Sequence, residues 1–259
     1  MSEKSGYALL TGASSGIGLE MARALAERKI PLVLVARSEQ KLENLRNELA
    51  VDALVLPLDL SEESSINQVA DSLSQKGVAV EYLINNAGFG DHGQFYETDP
   101  EKMESMIKVN VLALTRLTRK FLPAMIERGH GRVLNVSSTA AFQPGPLMAV
   151  YYATKAYVQS FSEALWDETQ GTGVTVTALC PGPTASGFQE NAKIEDSRLV
   201  KQSTLPTSTE VAKYGVDAMM RGEMAAVHGT KNRMLAAVGA VTPRKSLLKI
   251  VRQMNEKDG

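Results

Sequence analysis

The chain has 259 residues, of which 44% are hydrophobic and 22% are charged, and its formal net charge is −1 at pH 7. This length is enough to bury a large core, and the balanced charge gives no reason to expect nucleic acid or an anionic membrane as a partner. The single cysteine, Cys180, excludes an internal disulfide. The three histidines have no metal-ligand spacing among themselves or with Cys180, so we expect no metal site.

The N-terminal stretch MSEKSGYALLTG lacks the apolar core of a signal peptide. No stretch reaches the ~18–20 apolar residues that a membrane-spanning helix needs. A lone cysteine also suits a reducing compartment. These features predict a cytoplasmic protein without a transmembrane segment.

Short apolar runs alternate with helix-like segments along the whole chain. The runs are YALLTG, PLVLVAR, ALVLPLDL, EYLINNAG, GRVLNVSS and GVTVTALCPG, and segments such as SEQKLENLRNELA follow them. Apolar runs without polar alternation predict a parallel sheet that is covered on both faces. The repeated strand–helix order predicts an α/β fold with one doubly wound (Rossmann) sheet of about seven strands. No break in composition divides the chain, so we expect a single domain over residues 1–259.

Two serines are predicted to begin helices. Ser38 precedes EQKL and Ser61 precedes EESS, so each hydroxyl stands ahead of acidic residues in a first helical turn. We therefore expect a helix to start immediately after each serine.

Two segments depart from the regular alternation. Residues 183–206 are polar, are bounded by prolines and are too long for an ordinary connection. Because they follow the sixth predicted strand, at the edge where open α/β sheets bind ligands, we predict a substrate-covering loop, with a disordered insertion as the alternative. The tail over about residues 230–259 ends in a predicted basic amphipathic helix. We expect that helix to pack on the body or on another subunit rather than on a membrane surface.

Three glycines, Gly12, Gly16 and Gly18, stand between the first predicted strand and the first predicted helix. Glycine permits a tight turn and a close approach of backbone to a pyrophosphate, and the helix N-terminus supplies free N–H groups. The phosphate loop of a nucleotide hydrolase would carry Gly-Lys-Ser/Thr, and this loop has no lysine. The pattern predicts a dinucleotide site and argues against phosphoryl transfer.

The end of the second predicted strand, LVLVARSEQ, bears on the choice of dinucleotide. An acidic residue there would bind the ribose hydroxyls of the adenosine and exclude a 2′-phosphate. Ala36 and Arg37 occupy these positions, and a guanidinium can form a bidentate contact with a phosphate. We therefore expect NADP(H) rather than NAD(H), with an unliganded surface arginine as the alternative.

Several short motifs occur in order along residues 5–190. They are TGASSGIG, Asp59–Leu60, NNAG at 85–88, Asn110 in KVNV, NVSS at 135–138, YYATK at 151–155 and PGPT at 181–184. A single Tyr-x-x-x-Lys has poor specificity, but the ordered set is highly specific. On these motifs the chain resembles the short-chain dehydrogenase/reductase family. Its C-terminal part is similar, though less closely, to the branch of hydroxysteroid and 3-ketoacyl reductases.

Two adjacent tyrosines, Tyr151 and Tyr152, precede Lys155. Helical spacing favours Tyr151 as the neighbour of the lysine, because residues four apart lie side by side on a helix. The resemblance supports the same choice, since family members place the reactive serine a fixed interval before the reactive tyrosine. That interval fits Ser138 with Tyr151 and leaves Ser137 as the alternative. Tyr152 is then expected to point elsewhere.

The resemblance implies four catalytic residues. Tyr151 exchanges a proton with the substrate oxygen, and an ammonium at Lys155 would lower the pKa of that phenol from about 10. Ser138 hydrogen-bonds the substrate oxygen, and Asn110 kinks its helix and holds a water that connects Lys155 to solvent. The resemblance also implies the residues that bind the dinucleotide: Gly12, Ser14, Ser15, Gly16, Ile17, Gly18, Arg37, Asp59, Leu60, Asn86, Ala87, Gly88, Tyr151, Lys155, Pro181, Gly182 and Thr184.

The loops after strands four, five and six are expected to wall the substrate pocket. Most of their side chains are apolar, which predicts a hydrophobic ketone, aldehyde or alcohol as substrate. The candidates are Phe89, His92, Phe95, Phe142, Pro144, Leu147, Met148 and Phe188. His92 is alternatively a solvated loop histidine.

We predict an NADP(H)-dependent carbonyl reductase or alcohol dehydrogenase. One alternative is a sugar-nucleotide epimerase or dehydratase, which would need a larger C-terminal domain. Another is a dinucleotide-sensing protein without turnover, which would usually lack the tyrosine or the lysine.

The resemblance also implies a homodimer or homotetramer, because relatives pair the helix that here carries Phe161 and Trp166. Core packing is the alternative role for these two side chains.

Overall fold

The computed structural model describes residues 6–201 and 205–257. Within them the strands are β1 (Tyr7–Thr11), β2 (Leu32–Ala36), β3 (Ala53–Pro57), β4 (Val80–Asn85), β5 (Gly131–Val136), β6 (Val174–Cys180) and β7 (Ala225–Val227). They form one parallel sheet in the order β3-β2-β1-β4-β5-β6-β7. The strand order reverses between β1 and β4, so a crevice opens there at the carboxyl edge of the sheet. The predicted doubly wound fold with seven strands is confirmed.

Helices connect these strands and cover both faces of the sheet. They are α1 (Gly16–Glu27), α2 (Glu39–Glu48), α3 (Ser64–Gln75), α4 (Pro100–Ile107), α5 (Leu114–Arg128), α6 (Ala149–Glu168), α7 (Phe188–Asn191), α8 (Arg198–Lys201), α9 (Ser208–Arg221), α10 (Thr230–Val241) and α11 (Arg244–Asn255). No helix in the described part of the chain combines the length and the apolar character needed to cross a membrane.

The core lies on both faces of the sheet. Leu10 packs with Met21 and Met219 beneath α1 and α9, whereas its neighbour Leu9 packs with Leu117 on the opposite face. Each of these side chains is fully or almost fully buried, and burial of one such side chain contributes about 1.5–3 kcal/mol relative to exposure. Successive residues of a strand point to opposite faces, so a sheet covered on both sides needs unbroken apolar runs.

The two predicted helix starts have different outcomes. Ser38 does occupy the N-cap position of α2, with extended backbone. The prediction for Ser61 was wrong, because α3 begins at Ser64 after Glu63. The backbone N–H and the hydroxyl of Ser61 instead donate to the Asp59 carboxylate, at 2.9 and 2.8 Å. This local turn competes with helix capping for the same serine.

Of the two irregular segments, the first contains two short helices and the second is largely helical. Residues 183–206 contain α7 and α8, and residues 202–204 lie outside the described residues. The tail forms α10 and α11, and residues 258–259 again lie outside the described residues. On α11, Leu247 and Val251 are buried against the body of the protein.

Candidate active site

The loop between β1 and α1 has its backbone exposed to the crevice because two glycines leave no room for side chains. Gly12 has a φ of +67°, and a Cβ there would lie 2.8 Å from Asn86 Nδ2 and 2.9 Å from Ala87 Cα. A Cβ at Gly18 would overlap the carbonyl oxygen of Gly12. The N-terminus of α1 begins beside this loop at Gly16, so its free N–H groups and partial positive charge favour an anionic group.

Side-chain hydrogen bonds hold the glycine loop against the end of β4. Asn86 Nδ2 donates to the carbonyl oxygens of Thr11 and Gly12 at 3.0 and 3.2 Å. In return, Thr11 Oγ1 accepts from the backbone N–H groups of Asn86 and Ala87, both at 3.0 Å. Asn86 therefore fixes the loop in addition to lining the crevice.

The end of β2 presents cationic side chains to the same crevice. Ala36 and Arg37 line it as the sequence predicts, and Ser38 and Lys41 join them from the first turn of α2. Sequence reasoning missed Lys41. The available signal was that Lys41 follows Arg37 by four residues at the beginning of a predicted helix. Residues four apart on a helix lie on the same face, so the two cations could face the same crevice.

Tyr151, Ser138 and Lys155 come together at the carboxyl ends of β5 and β6. Tyr151 is 9% exposed and Lys155 is 5% exposed, and the Lys155 Nζ lies 5.8 Å from the centroid of the Tyr151 ring. The Ser138 side chain lies close enough to the Tyr151 phenol to act on its pKa, and Ser138 Oγ accepts from the backbone N–H of Ala140 at 3.1 Å. Lys155 Nζ donates to the carbonyl oxygen of Val136 at 2.8 Å. This hydrogen bond fixes the amine near the Tyr151 ring.

Burial controls the protonation of this pair. Burial raises the pKa of the Tyr151 phenol well above its usual range, and the nearby Ser138 side chain opposes this only in part. Burial also lowers the pKa of Lys155 to about 8, while the nearby Cys180 thiol acts weakly in the other direction. The predicted lowering of the phenol pKa by the amine does not occur in the chain alone, because burial raises that pKa and the amine donates to Val136.

Asn110 sits where the helix between β4 and β5 changes its winding. Residues Lys108–Ala113 form a π-helical turn, and Asn110 Nδ2 donates to the carbonyl oxygen of Phe89 at 2.9 Å. A Cβ at Gly88 would lie 3.0 Å from Asn110 Oδ1 and 3.4 Å from Lys155 Nζ. Asn110 therefore reaches the vicinity of the lysine amine, although it does not line the crevice itself.

The neighbouring residues with similar chemistry face other partners. Ser137 Oγ donates to the backbone carbonyl oxygen of Lys155 at 3.0 Å. The Tyr152 hydroxyl donates to Asn255 Oδ1 at 3.2 Å. Of the two adjacent serines, Ser138 is the one whose side chain acts to lower the pKa of Tyr151.

One cleft of about 1120 Å³ contains three features side by side. They are the glycine loop, a cationic corner formed by Arg37 and Lys41, and the catalytic group of Ser138, Tyr151 and Lys155. Apart from Asn110, every residue in the predicted catalytic and dinucleotide-binding sets lines it. Besides those described above they are Ser14, Ser15, Ile17, Asp59, Leu60, Pro181, Gly182 and Thr184. The described residues contain no group of three or more His, Cys, Asp or Glu side chains placed to hold a metal ion.

Half of the predicted substrate-side candidates are at the cleft. Phe89, Phe142, Met148 and Phe188 line it, and the Phe188 and Tyr151 ring centroids are 5.3 Å apart. The prediction was wrong for the other four, His92, Phe95, Pro144 and Leu147, which do not line it. The loop after β4 turns outward, so the Phe95 side chain is 61% exposed, and His92 is partly buried against the tail rather than solvated.

Sequence reasoning missed the largest part of the substrate-side wall, which comes from the tail. The tail residues that line the cleft include Asn232, Leu235, Val238, Leu247, Ile250 and Met254. The amphipathic pattern of α11 was the available signal, but a pattern indicates an apolar face without showing what that face covers.

Known proteins resemble this chain over nearly its whole length. The very-long-chain 3-oxoacyl-CoA reductase of Mus musculus is 30% identical over 253 residues, which cover 95% of this chain and 78% of that protein. A short-chain dehydrogenase from Sphingobium yanoikuyae in complex with NADPH has a TM-score of 0.80 at 32% identity, covering 98% of this chain and 99% of that chain.

A third similar protein is the bulky-bulky ketone specific alcohol dehydrogenase from Comamonas testosteroni. Its structure has a TM-score of 0.75 at 28% identity and covers 97% of this chain and 96% of that chain. The family model described as short chain dehydrogenase matches residues 6–197. With its ordered motifs gathered around one cleft, this chain therefore belongs to the short-chain dehydrogenase family of oxidoreductases.

Proposed function

We propose that the protein is an NADP(H)-dependent oxidoreductase that interconverts a hydrophobic ketone or aldehyde and the corresponding alcohol. The observation that carries this proposal is the shared cleft: a phosphate-accepting loop, a cationic corner and a serine–tyrosine–lysine group line one continuous cavity. A cavity of this kind can hold a long cofactor and a second molecule side by side.

The residues present fit a dinucleotide with a 2′-phosphate. The bare backbone around Gly12 and Gly18 would receive the pyrophosphate, because any side chain there would fill the cradle. Arg37 and Lys41 would pair with the 2′-phosphate, and no acidic side chain occupies the end of β2 to repel it. When bound, the dinucleotide supplies or accepts the hydride.

Tyr151 would be the acid in the reductive direction. Because burial raises its pKa, the phenol stays protonated at neutral pH and can donate its proton to the substrate oxygen as negative charge develops there. The Ser138 hydroxyl, which lines the same cleft, would hold the same oxygen. In the oxidative direction the same phenol would have to accept the proton of the alcohol, which requires its phenolate form.

The substrate half of the cleft supports an apolar substrate. Phe142, Phe188 and Met148 stand on the side of the body, and Leu247 and Ile250 stand on α11. Burial of apolar substrate surface against these side chains provides most of the binding free energy, while Ser138 and Tyr151 orient the carbonyl. The relatives named for a very-long-chain 3-oxoacyl-CoA and for bulky ketones are consistent with this.

The test is carbonyl reduction by Tyr151→Phe compared with the unaltered protein, with NADPH as cofactor and a series of hydrophobic ketones as substrates. We expect turnover to fall by about 10²–10⁴-fold, because the proton donor is lost. NADPH affinity, measured by fluorescence titration, should change little. Tyr157→Phe on the exposed side of α6 is the matched control and should keep its activity. Undiminished reduction by Tyr151→Phe would refute the assignment of the acid.

A further inference from the structure

Asn255, the last residue of α11, is 1% exposed and makes three polar contacts. Its Oδ1 accepts from the Tyr152 hydroxyl at 3.2 Å, and its Nδ2 donates to the carbonyl oxygen of Pro146 at 2.9 Å. Its backbone oxygen accepts from His92 Nε2 at 2.8 Å. These partners lie on α6, just before α6 and after β4. Asn255 is buried, and its side chain and backbone together bind partners from three places in the fold. These contacts fix the position of the end of α11.

The Tyr152 ring is itself held in one orientation. A Cβ at Gly145 would overlap the ring, so the missing side chain at Gly145 is what admits it. On the other side the ring packs edge-on against Tyr151, with centroids 6.1 Å apart and an angle of 78° between the planes. Tyr152 is 5% exposed. Its hydroxyl is therefore aimed at Asn255 by packing on both sides of the ring.

The end of α11 determines where the substrate-side wall stands. Leu247, Ile250 and Met254 line the cleft from this helix. Leu247 and Val251 also belong to the buried cluster that contains Tyr151. The apolar contacts allow α11 to slide or tilt, because dispersion is weakly directional, whereas the hydrogen bonds at Asn255 are directional.

We propose that Tyr152 and Asn255 form a latch, the Tyr152–Asn255 latch, that positions α11 as the wall of the substrate half and so sets the preference for bulky apolar substrates. This inference rests on the proposed carbonyl reduction. Both members are positioning residues, since the Tyr152 hydroxyl donates to Asn255 Oδ1 and Asn255 does not line the cleft. The latch also explains the tyrosine pair: one phenol serves the chemistry and its neighbour holds the wall.

The test compares a small ketone, butanone, with a bulky one, benzophenone, using NADPH as cofactor. Tyr152→Phe removes one hydroxyl and keeps the packed ring. We expect KM for benzophenone to rise about 5-fold, the worth of one lost hydrogen bond, while kcat for butanone changes by less than about 2-fold. Tyr157→Phe is the matched control, because Tyr157 lies on the same helix as Tyr152. Its hydroxyl hydrogen-bonds Thr115 Oγ1 at 2.9 Å and does not contact α11.

The second variant, Asn255→Ala, breaks the same bond from the other side. Because the two substitutions remove one shared interaction, the double variant should raise KM for benzophenone no further than Asn255→Ala alone. Fully additive effects would overturn the latch, as would an unchanged KM for benzophenone in both single variants. An equal loss of kcat for butanone and benzophenone in Tyr152→Phe would also overturn it, because Tyr152 would then act in the chemical step.

If the unaltered protein reduces neither ketone, the proposed function fails, and a separate measurement decides the latch. Amide hydrogen exchange over residues 244–255 reports the opening of α11 without any substrate. Faster exchange in Tyr152→Phe than in Tyr157→Phe supports the latch. Equal exchange in the two variants overturns it.

Discussion

The two halves of the cleft are built from different parts of the chain. In the cofactor half, the cleft is bounded by bare backbone at Gly12 and Gly18, next to the start of α1 and the ends of β1 and β4. In the substrate half, side chains of α10 and α11 stand opposite side chains of the body, and several are also open to solvent, with Leu235 49% and Val238 56% exposed. A backbone surface tolerates almost no added atoms, whereas a side-chain surface can be repacked.

A matched pair of glycine-to-alanine changes tests this contrast most strongly. In Gly18→Ala the new methyl group would overlap the Gly12 carbonyl oxygen, so the loop must move. We expect NADPH affinity to fall by roughly 100-fold or more, as for about 3 kcal/mol of lost contacts. In Gly239→Ala the methyl group lies 3.5 Å from the carbonyl oxygen of Phe142, an ordinary contact.

Gly239→Ala should keep NADPH affinity and raise stability by up to about 1 kcal/mol, because alanine favours the helix. Fluorescence titration and thermal unfolding measure the two effects. Similar losses of NADPH affinity in both variants would break the contrast between the two halves.

The cationic corner sharpens the contrast within the cofactor half. Arg37→Ala should weaken NADPH binding by about 10–100-fold and leave NADH binding nearly unchanged, because only NADPH carries the phosphate that a guanidinium would hold. Arg46→Ala is the matched control. Arg46 lies on α2, the helix that follows Arg37, and pairs with Glu43 at 2.5 Å. Equal weakening of NADPH and NADH binding would contradict the proposed NADP(H) preference.

Lys155 lies where the two halves meet, and its burial has a measurable cost. The shift of its pKa from 10.5 to about 8 means that burying the charge destabilises the fold by roughly 3 kcal/mol. Replacing the lysine removes this cost but also removes the hydrogen bond to Val136, which contributes about 1 kcal/mol of stability. Lys155→Met should therefore stabilise the fold by about 2 kcal/mol at pH 7 while abolishing activity. The exposed Lys120→Met, on α5, is the control and should leave stability nearly unchanged.

The sign of this effect follows from the depressed pKa. Below pH 8 the lysine is charged in both states, so the cost of burying the charge is fully present. Between about 8 and 10.5 the unfolded chain binds more protons, so the stability of the unaltered protein rises with pH. The advantage of Lys155→Met should shrink over this range in denaturant titrations. A constant advantage from pH 7 to 10 would show that burial of charge is not its cause.

Much of the site was predictable because its residues act close to where they stand in the chain. A glycine at position 12 or 18 meets a local demand of the strand–loop–helix turn, and Lys155 follows Tyr151 by one helical turn. Short-range geometry of this kind is carried by spacing alone. The N-cap prediction at Ser61 failed for an equally local reason, since the backbone N–H and the hydroxyl of Ser61 both donate to Asp59 and hold the serine in a turn before the helix.

The placement of the tail was not predictable in the same way. His92, Pro146 and Tyr152 meet Asn255 across separations of 163, 109 and 103 residues, and no spacing rule connects positions so far apart. An amphipathic helix has an apolar face wherever it docks, so its pattern is compatible with many surfaces.

Local sequence specifies the doubly wound sheet, the glycine loop and the catalytic group on α6, because strand pattern, glycine conformation and helical spacing are short-range properties. Tertiary structure alone decides which half of the cleft α10 and α11 cover, that the Tyr152 hydroxyl meets Asn255, and that burial raises the pKa of Tyr151. The physical reason is that burial and long-range contacts exist only once the chain has folded, and both the pKa of the phenol and the position of α11 depend on them.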